Sequence, residues 1–133
     1  KGRWPKGKNT INAPLRKNTL QSGERMVRVD ASGKASVTHF KTLQQYPSAT
    51  LLDIKLETGR THQIRVHCQF AEQPIAGDPK YGDDHFNESL KPLGLKLLFL
   101  HARYLRFKHP LSGDWVEVEA PLPADLEKVL TKL

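Results

Sequence analysis

Apolar and polar positions alternate most cleanly between Thr50 and Glu57. Thr50, Leu52, Ile54 and Leu56 fall on one face of a strand, and Leu51, Asp53, Lys55 and Glu57 on the other. The preceding residues Val37 to Tyr46 are rich in β-branched and aromatic side chains, and Pro47-Ser48 separates the two runs. The pattern predicts an antiparallel hairpin. Met26 to Asp30 reads as a further short strand and Ala31 to Lys34 as a turn. After Glu57 the period changes. Ile64, Cys68 and Ala71 recur at i, i+4 and i+7, with Thr61, Arg65 and Gln69 in the neighbouring row, which predicts a helix that fades near Gln73-Pro74.

The rest of the chain follows the same logic. Lys1 to Thr10 reads as loop and Asn12 to Gly23 as irregular. Ile75 to Gly82 is dense in turn residues, with Asp78 before Pro79 as the turn starter, and Asp83 to Lys96 reads as a short helix or a variable loop. Leu97 to Lys108 is extended, His109 to Asp114 turns, and Trp115 to Glu119 returns. Pairing across that turn sets Tyr104 opposite Glu119, Leu105 opposite Val118, Arg106 opposite Glu117 and Phe107 opposite Val116. Pro121 and Pro123 lead into a last helix striped by Leu126, Val129, Leu130 and Leu133. The expected fold class is α+β: a mixed, mainly antiparallel sheet with a few helices, in one domain.

Charge adds a position to this picture. Of the 21 Lys and Arg residues, eight lie in residues 1–28 against one acid, Glu24, whereas residues 29–133 hold 13 of each sign. A neutral body with a basic, loop-rich leading segment suits a polyanion such as RNA, with Arg16, Lys17, Arg25 and Arg28 as phosphate contacts, although surface solvation accounts for each one separately. No apolar run approaches a membrane span; the longest, Leu97 to Leu100, is strand-sized. One cysteine excludes an internal disulfide and fits a reducing compartment. Cys68 sits on the apolar stripe, where burial is its usual fate.

The chemistry concentrates between Thr58 and His67, which hold two arginines, two histidines and a glutamine in ten residues. Gly59 is the expected left-handed corner and Thr61 the expected N-cap, so the polar end of the helix forms a seat for an anion. His62 and His67 are five apart, which splays them around a helix and argues against a shared metal. There is no P-loop, no G-x-G-x-x-G and no G-x-S-x-G. Arg60, His62 and Arg65 remain, a surplus of positive charge at a helix start that calls for a carboxylate or an RNA phosphate. No carboxylate in this chain is assigned to them by the pattern alone.

These residues carry a resemblance. Thr58-Gly-Arg-Thr-His-Gln-Ile-Arg-Val-His67 is similar to a signature of the RluA-type pseudouridine synthases. Pro74-Ile-Ala-Gly-Asp-Pro-Lys-Tyr-Gly82, Leu100-His-Ala102, Phe107-x-His-Pro-x-x-Gly113 and Ala120-Pro-x-Pro123 resemble motifs that follow it in order. Asn12 to Arg28 is most similar to the bacterial subgroup that modifies large-subunit ribosomal RNA. The resemblance implies an isomerase that flips a uridine from RNA, breaks its N–C glycosidic bond, turns the base and rejoins it through carbon, without a metal or organic cofactor. It implies that Arg65 pairs with the catalytic aspartate, that Leu98 or Leu100 walls the base, and that Arg60 and His62 touch RNA or brace the turn. The family's aspartate lies in an HRLDxxTSG motif, which this sequence lacks. The expectation is therefore that residues 1–133 form the C-terminal portion of a catalytic domain, inactive alone. Its expected partners are the missing N-terminal half and large-subunit ribosomal RNA, with no membrane or metal, and its expected location is the cytoplasm. A catalytically inert RNA-binding module is the alternative.

Overall fold

The computed structural model describes residues 1–133. Its strands are β1 (Thr10–Asn12), β2 (Leu15–Thr19), β3 (Arg25–Val29), β4 (Val37–Gln45), β5 (Thr50–Leu56), β6 (Tyr104–Lys108) and β7 (Trp115–Glu119). Its helices are α1 (Gln63–Phe70), α2 (Asp84–Leu90) and α3 (Ala124–Lys132), and a single 3-10 turn spans Lys91–Leu93. All strand pairs are antiparallel. They form a three-stranded sheet ordered β1-β4-β5 and two separate hairpins, β2-β3 and β6-β7. The expected α+β class holds, as does the β4-β5 hairpin, which carries a register shift between Thr42 and Gln44. The β6-β7 register pairs Tyr104, Leu105, Arg106 and Phe107 with the partners expected from the sequence.

Asn12 to Gly23 departs from the irregular reading. It contains the end of β1 and all of β2, which pairs with β3 in five consecutive registers. Polar residues disguise β2, because only Leu15 of its five is buried. In the 97–108 stretch only Tyr104–Lys108 is laddered. Before it, Phe99 is tied down by its N–H donating to the Ala76 carbonyl.

The core falls into three clusters. Trp4, Ile11, Ala13, Phe40, Cys68 and Ala71 bind the leading loop and the main sheet to α1. Trp4 is locked there by its ring lying 4.6 Å from that of Phe40 and by its Nε1–H donating to the Lys8 carbonyl. A second cluster joins Phe86 and Leu90 of α2 to Leu126 and Val129 of α3. Asp83 caps α2 by accepting from the Phe86 N–H. The third cluster, Leu15, Val27, Val66 and Tyr81, seats the β2-β3 hairpin on α1. Burying Val66 alone contributes about 2 kcal/mol. Cys68 is buried, and burial pushes its thiol up to about 12.

Apolar surface also remains open. Leu105, Phe107 and Val118 of the β6-β7 hairpin, Leu56 at the end of β5, and Leu97 are all exposed. No helix is long and apolar enough to cross a membrane.

Candidate functional site

The approach to α1 does not fold as the local pattern suggests. Gly59 is not in the left-handed region; His62 is, at φ 54° and ψ 20°, and it is the residue preceding the first turn. Thr61 makes no cap bond. Gln63 organises the corner instead. Its Oε1 accepts from the Arg60 N–H and from the Thr58 hydroxyl, and its Nε2 donates to the Val37 carbonyl and the Thr38 hydroxyl. A buried polar line continues from there. Thr38 Oγ1 lies 2.7 Å from His67 Nδ1, and His67 Nε2 lies 2.9 Å from the Ala13 carbonyl. A carbonyl only accepts, so Nε2 carries the proton and Nδ1 accepts from Thr38. Burial pushes the His67 imidazole below its ordinary range, against the Ala13 bond that raises it. The line ties α1 to β4 and to the loop after β1, so the N-terminal end of the helix cannot drift.

Arg65 projects from this fixed turn. Its Nε and Nη2 donate to the two oxygens of Asp78, each at 2.8 Å, in a bidentate pair. The expectation that no carboxylate of this chain serves the arginines is thus corrected. Asp78 stands 13 residues away, in the segment that reads as a turn, and the fold carries it under α1. Asp78 is 1% exposed and also accepts from the N–H groups of Lys80 and Tyr81. Burial pushes its carboxyl up, but the Arg65 guanidinium and the two backbone donors outweigh that and hold it below the usual carboxylate range. The Asp78 hydrogen bond in turn raises Arg65. The guanidinium also lies over the Tyr81 ring, 5.0 Å from its centroid.

Arg65 keeps Nη1 without a partner in the protein, and it borders a groove of about 340 Å³. Arg60, His62 and Arg65 line the groove together with Leu56, Leu98 and Leu100. The last two flank Phe99, whose backbone is pinned to Ala76 and whose ring packs towards α2 and α3. The Leu100 N–H donates to the Leu98 carbonyl, a tight three-residue turn centred on Phe99, and both leucines line the groove. Gly77 makes the approach feasible: it has φ +77°, and a Cβ there would sit 2.3 Å from the Leu97 carbonyl oxygen.

Arg60 turns part of its side chain away, with Nε donating to the Ala35 carbonyl. His62 stays in the groove, with Nδ1 2.8 Å from the Tyr81 hydroxyl. Arg16 and Lys17 are not in the groove. They lie exposed on β2, directly opposite Arg28 and Val27, and both Arg16 and Arg28 lean on Asp30. Their hairpin nevertheless touches the site. The Val27 N–H donates to the Tyr81 hydroxyl, and Lys80 Nζ donates to the Arg25 carbonyl and pairs with Glu24. Tyr81 and Asp78 are the site residues that sequence reasoning placed only in a turn. No three His, Cys, Asp or Glu side chains gather where they could hold a metal ion.

The chain that carries this groove resembles known proteins in both sequence and fold. The family profile described as RNA pseudouridylate synthase matches residues 4–70, and the chain belongs to that family. It is 50% identical over its whole length to the ribosomal large subunit pseudouridine synthase C of Pasteurella multocida and 49% identical to that of Escherichia coli K12. It spans only 41% and 42% of those relatives' lengths. Among solved structures, human RNA pseudouridylate synthase domain containing 1 superposes with a TM-score of 0.67 at 31% identity, covering 86% of this chain and 48% of that one. Human RNA pseudouridylate synthase domain containing 4 superposes with a TM-score of 0.67 at 26% identity, covering 92% of this chain and 55% of that one.

Proposed function

We propose that this chain forms one wall of the active site of an enzyme that converts uridine to pseudouridine in large-subunit ribosomal RNA. The observation that carries the reading is Arg65. Asp78 grips one edge of its guanidinium, Nη1 has no partner in the protein, and the side chain lines a groove walled in part by leucines. A guanidinium so held has donors left for a second carboxylate and no freedom to point elsewhere. The nucleophilic aspartate comes from a segment outside these 133 residues, in the N-terminal half of the catalytic domain. Arg65 keeps that carboxylate ionised and aimed. Leu98 and Leu100 wall the flipped base, and Arg60 and His62 contact the substrate at the mouth. Arg16 and Lys17 meet phosphates from the hairpin that rests on Tyr81, and the reaction needs no metal or organic cofactor. The exposed apolar residues of β6 and β7 suit burial against the missing half. As an rRNA-modifying enzyme it works in the cytoplasm.

The test uses the full-length protein and large-subunit ribosomal RNA, with pseudouridine mapped on the product. Arg65→Ala is expected to lower turnover at least about 100-fold with RNA affinity within a few-fold, as for loss of a preorganised charged group. Arg65→Lys is expected to fail as well, because an ammonium cannot serve Asp78 and a second carboxylate as a planar fork does. A wild-type protein that binds this RNA in a salt-sensitive way yet forms no pseudouridine would leave only an inert RNA-binding module.

A further inference from the structure

Tyr81 fixes the protonation of His62. The Tyr81 hydroxyl accepts from the Val27 N–H at 3.0 Å and lies 2.8 Å from His62 Nδ1. A hydroxyl has one proton, and Tyr81 is 2% exposed, so only donation to Nδ1 gives that proton a partner. His62 therefore carries its own proton on Nε2. Nε2 has no partner in the protein. Every buried side-chain polar atom does have one, so Nε2 is accessible to solvent on a side chain that lines the groove. A second proton on the ring is opposed by partial burial and by Arg65, Lys80 and Arg25, with only Asp78 favouring it. The backbone adds a third observation. His62 occupies the left-handed region while Gly59, three residues earlier, does not.

Resting on the reaction proposed above, we infer that His62 is a specificity residue for uracil: its Nε2–H donates to the C4 carbonyl oxygen of the flipped base. Leu56, Ile64, Leu98 and Leu100 offer apolar contact to a planar ring beside His62, while Arg60 and Arg65 in the same groove could also meet a phosphate, an outcome the thio substrates separate from base reading. Uracil bears two carbonyl acceptors, whereas cytosine replaces one with an amino donor that would face the Nε2–H. The relay Val27 N–H to Tyr81 to His62 also links the basic β2-β3 hairpin to the base-reading group.

The experiment uses the full-length protein and an RNA hairpin around its mapped target, made with uridine, 2-thiouridine or 4-thiouridine at that position. Sulfur is a weak acceptor, so the wild type is expected to lose about 10-fold in kcat/KM on 4-thiouridine, the worth of one neutral hydrogen bond, and a loss confined to 2-thiouridine overturns the uracil assignment because cytosine shares that carbonyl. His62→Asn tolerates the backbone and can still accept from Tyr81, but its amide falls short of the groove. It is expected to lose about 10-fold on uridine and to stop discriminating against the thio substrate. His62→Gln reaches as far as Nε2 and is expected to recover activity over His62→Asn. Equal activity of the two variants, or intact thio discrimination in His62→Asn, overturns the role given to His62. An equal loss on all three substrates shows a phosphate contact and overturns the uracil assignment. An active wild type in each case leaves the proposed reaction standing, whereas an inactive wild type overturns the reaction itself.

Discussion

Replacing Asp78 by Asn tests the electrostatic heart of the site with almost no change of shape. One carboxylate accepts four hydrogen bonds, two from Arg65 and one each from the Lys80 and Tyr81 N–H groups. Oδ1 serves Lys80, Tyr81 and Arg65 Nη2, while Oδ2 serves Arg65 Nε alone. An asparagine keeps Oδ1 in place and so preserves the turn, but sets its amide nitrogen against Nε, donor to donor. One charge-assisted bond is lost outright, worth about 2 kcal/mol, and the other is weakened to a neutral acceptor at a cost of about 1 kcal/mol. Arg65 retains 17% side-chain exposure, so water recovers part of this, and about 2 kcal/mol of net destabilisation is expected. Asp78→Ala also strands the two backbone donors and is expected to cost about 4 kcal/mol. Urea unfolding gives the free energies, and hydrogen exchange at the Lys80 and Tyr81 amides reports the turn. The exchange is expected to accelerate in the alanine variant and stay slow in the asparagine variant. The pair also sets an acid limit. Because the Asp78 carboxyl lies below its ordinary value when folded, its contribution is complete above about pH 4 and is lost as pH falls further, a dependence absent from Asp78→Asn. An Asp78→Asn protein within about 0.5 kcal/mol of wild type would refute the argument.

His67 should impose a second, higher pH limit. Its folded pKa is depressed, so the stability it contributes is complete above about pH 6.5 and falls as the medium is acidified, and urea midpoints of His67→Gln should show a flatter slope between pH 6.5 and 5. Gly77→Ala is expected to destabilise by at least about 2 kcal/mol, since a methyl group meets the Leu97 carbonyl and the backbone is left-handed; thermal melts measure it, and a neutral result would contradict the close approach that seats Leu98 and Leu100. Cys68 should resist thiol reagents at pH 8 in the native protein and react once unfolded in urea.

Local rules reach far into this molecule. The alternation in Thr50 to Glu57, the cross-strand partners of β6 and β7, the stripe of α3 and the burial of Cys68 are all visible in the chain, because each depends on neighbours in sequence or on one short turn. Arg65 is equally legible as a candidate, since a motif names it and the groove includes it. Its partner is not. Asp78 looks like any aspartate opening a turn, and only the packing of Tyr81 and Val66 beneath the β2-β3 hairpin carries it to the guanidinium. The corner before α1 shows the same limit. Propensity puts the left-handed residue at Gly59 and the cap at Thr61, but Gln63 has four long-range or cross-turn bonds that a local rule does not count, and they move the strain to His62. Sequence alone thus determined most of the elements, though not β1 and β2, and singled out the arginine, because periodicity and short-range pairing are written along the chain. Tertiary structure decided which groups face each other in the groove, because a buried charge takes whichever partner the packed core brings within hydrogen-bond reach.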